Sequence, residues 1–123
     1  MQSDLRKSMR FIPEKNSFAA LGTGILLVGK ISDISSGGLA FEHIANLNST
    51  HVDPGTVDIF VSGMQFHLAD VPCVKVYDLP INTGNIFTSP FLSKRCGVKF
   101  TTLNNKQMIE LEAFLEKHTT GLA

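Results

Sequence analysis

The chain has no net charge, no leader-like apolar run and only two cysteines, and each shortage removes a class of function. Eleven Lys and Arg balance eleven Asp and Glu. A protein that grips long nucleic acid needs a basic face, so neither DNA nor RNA is expected as a partner. A small anionic ligand stays open, because two well-placed arginines supply a local field. The most apolar stretch, residues 18–28, is interrupted by Gly22-Thr23-Gly24 and is too short to span a bilayer, so no membrane insertion is expected. The opening Met1-Gln2-Ser3-Asp4-Leu5 lacks the apolar core of a secretion signal, which makes a cytoplasmic protein the expectation. On that reading Asn48-Ser49-Thr50 matches the glycosylation pattern by chance.

Cys73 and Cys96 have no metal-ligand spacing. Strand alternation puts Cys73 on a face with Lys75 and Tyr77, and Cys96 on a face with Val98 and Phe100. Opposed faces and a reducing cytosol predict two free thiols. His43, His51, His67 and His118 show no metal spacing either and read as surface or loop residues. Gly24-Ile25-Leu26-Leu27-Val28-Gly29-Lys30-Ile31 falls one residue short of a phosphate-binding loop. Ile31 replaces the hydroxyl that would hold magnesium, and the aliphatic interior reads as a strand. No nucleophile-elbow pattern is present, and nothing calls for catalysis or a cofactor.

What remains is a sequence of 123 residues, 43% of them hydrophobic, which is enough for one domain with one core. Residues 1–16 are polar and charged and read as an arm; residues 17–123 read as the body. Strand-like runs follow at residues 18–21, 25–31, 39–42, 57–61, 71–77 and 95–100, with Ser62-Gly63 as a tight turn. Residues 80–93 form a loop longer than an ordinary hairpin connection.

The period then changes. Met108, Leu111 and Leu115 recur at helical spacing with Phe114 beside them. Asn104 is an N-cap, Gln107 completes a capping box, Leu103 and Met108 fit a hydrophobic staple, and Gly121 is the candidate stop. Six short strands and one helix predict a mainly β fold: a six-stranded antiparallel β-barrel that hides its edges by closure, with a C-terminal α-helix over one end.

Two motifs carry the chemistry. Arg6-Lys7-Ser8-Met9-Arg10 holds two arginines four apart on the arm. Asp33-Ile34-Ser35-Ser36-Gly37-Gly38 ends a strand in a turn of small residues. Guanine shows two acceptors, O6 and N7, along one edge, which an arginine meets with parallel hydrogen bonds. Its N1 and N2 hydrogens suit a carboxylate. Phosphodiesters take cationic and hydroxyl donors, and a guanidinium also lies flat on a base. Asp33 and Ser35, two apart in extended chain, point the same way. Gly37 and Gly38 can adopt positive φ and let a ligand approach the backbone closely.

In this order, and with Arg95-Cys96-Gly97-Val98-Lys99-Phe100 as the last strand, these motifs resemble the PilZ domain, a bacterial receptor for cyclic di-GMP. The resemblance covers nearly the whole chain and implies the same barrel and helix. It implies that Arg6 and Arg10 clamp guanine and phosphate, that Asp33 and Ser35 bond the other face of the ligand, and that Gly38 permits the turn. Some members of the family lack these residues and bind no nucleotide, whereas this chain keeps all of them. Leu5, before the first arginine, offers no extra cation and implies one ligand per chain. Arg95 faces outward by parity.

A receptor of this size is expected to close its arm over cyclic di-GMP and to signal through an unidentified protein partner. The rival reading is an interaction adaptor of the same fold that binds no nucleotide. A small barrel enzyme or flavin binder would show itself by bound colour.

Overall fold

The computed structural model describes residues 9–22, 27–46, 55–63, 66–81 and 91–123. Among the described residues eight strands and one helix follow one another: β1 (Phe11–Pro13), β2 (Ser17–Leu21), β3 (Leu27–Ser35), β4 (Gly38–Asn46), β5 (Thr56–Val61), β6 (Phe66–Pro80), β7 (Phe91–Phe100), α1 (Asn105–Lys117) and β8 (Thr119–Leu122). All strand pairings are antiparallel, in the order β2-β5-β6-β7-β4-β3-β1-β8, and β2 also pairs with β3. That last pairing closes β2, β5, β6, β7, β4 and β3 into a six-stranded barrel, as the sequence predicts.

Closure follows from how β3 is shared. One edge pairs with β4 from Lys30 to Ser35. The other pairs with β2 over Leu27 to Lys30 and with β1 at Ile34, so β1 takes over where β2 leaves off. β1 lies within the segment read as the arm, and β8 completes its other side.

The alternation of β5 places Val57, Ile59 and Val61 inside. They meet Ile31 and Ile34 from β3, Leu39 and Phe41 from β4, and Leu68 and Val71 from β6. From α1, Leu111 and Phe114 enter the same core, and the Phe114 ring stands 5.3 Å from that of Phe66. Among the described residues nineteen hydrophobic side chains are buried, and at ~1.5–3 kcal/mol for each large one this burial is the main force for folding.

Several expectations need correction. Met108 belongs to the helical stripe but is half exposed, so the buried face is narrower than the stripe. Gly121 does not stop the helix: α1 ends at Lys117 with His118 as C-cap, because the following residues pair with β1. Cys73 and Cys96 do not face opposite ways. A closed barrel has a single interior, and both thiols lie in it, free and buried. Burial pushes the Cys73 thiol up to about 11 and that of Cys96 up to about 12, the charge of Asp78 adding to the latter.

His43 is neither surface nor loop. It follows the parity of Leu39 and Phe41 on β4 and points inward, with its side chain 2% exposed. The segment read as a long loop is shorter, since β6 runs to Pro80, β7 starts at Phe91, and the Ile81 N–H donates to Ser93 O. Its residues 82–90, together with Asn48, Ser49, Thr50 and His51, lie outside the described residues.

Candidate ligand-binding site

Arg10 stands one residue before β1, and Asp33 and Ser35 end β3. The pairing of Phe11 with Ile34 sets the arginine beside both. Arg10 Nε donates to Asp33 Oδ1 at 2.5 Å and Nη1 donates to Ser35 Oγ at 3.3 Å. Ser35 is fully buried. Its Oγ also accepts from the Gly37 N–H at 3.1 Å and donates to Gly38 O at 3.4 Å, so the hydroxyl locks the β3–β4 turn while it holds the guanidinium. The turn is tied to β7 as well, because Phe100 N–H donates to Gly37 O.

Neither Gly37 nor Gly38 takes a positive φ; among the described glycines only Gly22 and Gly63 do. Gly38 is needed for another reason. A Cβ there would sit 2.3 Å from the Val98 carbonyl oxygen, so glycine alone lets β4 approach β7 this closely.

The four residues Arg10, Asp33, Ser35 and Gly38 line one side of a cleft of about 560 Å³ on the outside of the barrel. That volume falls within the roughly 300–1,000 Å³ of small-molecule sites. The sequence does not single out the opposite wall: Val76 and Tyr77 from β6, and Gly97, Val98 and Lys99 from β7. Lys99, paired with Gly38 across the ladder, is exposed and brings a second cation to the cleft. The Tyr77 ring lies over Gly97, where an added Cβ would meet its Cε2 at 2.2 Å. Strand parity would have found Lys99, opposite in facing to Val98 and Phe100. Tyr77 was hidden by a register shift between Lys75 and Tyr77 that breaks the alternation. Arg6 and Leu5 lie outside the described residues. Arg95 faces outward and pairs with Glu42 at 3.5 Å, away from the cleft lining.

A second polar cluster occupies the inner side of the same strands. His43 Nε2 lies 2.9 Å from Asp78 Oδ1, and Lys94 Nζ and Lys75 Nζ lie 3.3 and 3.8 Å from Asp78 Oδ2. Burial acts to raise the Asp78 pKa, but hydrogen bonds and charge from His43 and Lys94 together hold it below its ordinary value. Among the described residues no group of three His, Cys, Asp or Glu is placed to hold a metal. Among them, too, no helix is long and apolar enough to cross a membrane.

The sequence model of the PilZ domain matches residues 4–117, nearly the whole chain. The chain belongs to the PilZ family, a family of binding and adaptor domains associated with cyclic di-GMP. No curated protein and no solved structure matches it.

Proposed function

We propose that this protein is a bacterial, cytoplasmic receptor for cyclic di-GMP that changes shape on binding and passes the signal to a protein partner. The observation that carries the reading is the guanidinium of Arg10, held by Asp33 and Ser35 at the mouth of a cleft with Lys99 and Tyr77 opposite. Each group answers a part of a guanine dinucleotide. Arg10 offers paired donors to guanine O6 and N7. Asp33 accepts from the N1 and N2 hydrogens. Lys99 suits phosphodiester oxygens, the buried Ser35 hydroxyl holds the guanidinium that meets the ligand, and the Tyr77 face suits a base.

Binding exchanges part of the Arg10–Asp33 pair for bonds to the ligand. Residues 1–16 act as the ligand-binding arm, and Arg6 joins from it, four residues before Arg10 in sequence. No cofactor is invoked; the ligand itself is the messenger. A ligand seated in the cleft changes the surface that a partner meets there. Exposed Ile44, Val74, Val76 and Leu79 on β4 and β6 supply apolar area for a partner close to the cleft, and they equally favour the adaptor as a second reading.

Calorimetric titration with cyclic di-GMP, with GMP and cyclic di-AMP as controls, separates the two. The parent is expected to bind the guanine dinucleotide selectively. Arg10→Ala is expected to lose about 1–3 kcal/mol, a roughly five- to 150-fold weaker complex. A folded parent that binds none of the three leaves the adaptor as the function.

A further inference from the structure

We infer that β8 is a strap whose role is to hold the backbone of Arg10 in place; this rests on reading the cleft as the nucleotide site. β1 is three residues long, and its only register pair with the barrel is Phe11 with Ile34. Its pairing with β8 is fuller. Phe11 faces Leu122, Ile12 faces Gly121 and Pro13 faces Thr119. Beyond the strand ends the contacts continue: Ala123 N–H donates to Arg10 O at 3.0 Å, and Glu14 N–H donates to His118 O at 2.9 Å. Side chains repeat the pattern, with Thr120 Oγ1 donating to Ile12 O and His118 Nδ1 3.3 Å from Glu14 Oε2.

The strap does little for the core. Thr120, Gly121 and Leu122 are exposed, with Leu122 62% so. Its pairing partners lie instead in the short segment that carries the arginine. At its other end one residue, His118, separates it from α1, and α1 is anchored by buried Leu111 and Phe114. The His118 ring packs on Phe66 and Phe114, 5.4 and 5.6 Å between centroids. The helix thus fixes the strap, the strap fixes β1, and β1 delivers Arg10 to Asp33 and Ser35 before any ligand arrives. An arginine held in its binding rotamer loses less entropy on binding than a loose one.

The test uses two variants of the full chain. One lacks residues 120–123 but keeps Thr119, whose hydroxyl donates to Leu115 O at the helix end. The other is Ala123→Pro, which keeps residues 120–122 but removes the donor to Arg10 O and sets a ring carbon in its place. Both are made with Arg10 and with Arg10→Ala, and both are read by calorimetry with cyclic di-GMP and by the NMR signal of the Arg10 Nε–H.

With Arg10 present, each change is expected to weaken binding roughly three- to tenfold, the ordering cost of one long side chain. In the Arg10→Ala background neither is expected to weaken it further. The barrel's melting temperature should hold, and the Nε–H should exchange faster with water. Unchanged affinity, or an equal loss without Arg10, overturns the strap. If the parent binds no cyclic di-GMP, the nucleotide reading fails while the strap is still decided. Faster Nε–H exchange in the shortened chain upholds it, and an unaltered signal overturns it.

Discussion

Gly38 and Gly97 differ in what an added side chain would strike. At Gly38 the obstacle is the Val98 carbonyl, a backbone atom that cannot step aside without parting β4 from β7. At Gly97 it is the Tyr77 ring, which can swing away. Gly97→Ala therefore keeps the fold and moves the ring from the cleft wall. If a base stacks on Tyr77, this substitution should cost up to about 1–3 kcal/mol of cyclic di-GMP affinity. The chain has a single tyrosine, so tyrosine-selective labelling gives one ring system in the NMR spectrum. Saturating ligand should shift those ring protons upfield in the parent and scarcely in Gly97→Ala, whereas unmoved resonances in the parent would remove Tyr77 from the site. The sequence reveals Arg10, Asp33 and Ser35 because their chemistry is rare in combination. It hides Tyr77 behind a bulge, and it hides His43 because residue type alone puts a histidine outside, while its parity with Phe41 puts it inside.

Elements are legible where their signals are local. Asn104 accepts from Gln107 N–H at 2.8 Å, and Gln107 Oε1 accepts from Asn104 N–H at 3.1 Å, the reciprocal bonds that the sequence predicts. Asn104→Ala should destabilise the protein by about 0.5–2 kcal/mol, lowering the melting temperature by roughly 4 °C per kcal/mol in scanning calorimetry. A variant that melts with the parent would mean the cap contributes nothing beyond packing. Gln107 has a further duty, since its Nε2 donates to Ala69 O and Asp70 O and pins the helix start to β6. The far end of the same helix is illegible for the opposite reason. Thr119-Thr120-Gly121-Leu122 has no strand pattern of its own and becomes β8 only by pairing with β1, more than a hundred residues away in sequence. Such a strand is written in the partner, not in its own residues.

At the scale of the whole molecule, barrel closure gives three strands two different faces. Outside, β4, β6 and β7 carry Gly38, Tyr77 and Lys99 toward the cleft; inside, they carry His43, Asp78, Lys75 and Lys94. Alternation makes that division readable on β4 and β7, whereas the register shift on β6 puts Lys75 inside and Tyr77 outside at the same parity. Which inward charges meet depends on the β6–β7 register, which no local signal fixes. The inner cluster makes stability depend on acid. The Asp78 pKa is lower in the folded protein than its ordinary 3.8, so the unfolded chain binds its proton first as pH falls. The stabilisation from Asp78 is therefore fully present above about pH 4 to 5, and it is lost as pH drops through 3.8 toward the folded value. Asp78→Asn removes this dependence and leaves His43 and Lys94 without their carboxylate, at a cost of about 1–3 kcal/mol near neutrality. Urea midpoints measured from pH 7 to pH 3 should show the parent falling steeply below pH 4. The variant should start lower and fall less, so that the two curves converge in acid. Parallel curves would mean that Asp78 titrates alike in the folded and unfolded chains, and that the acid sensitivity of the barrel arises elsewhere.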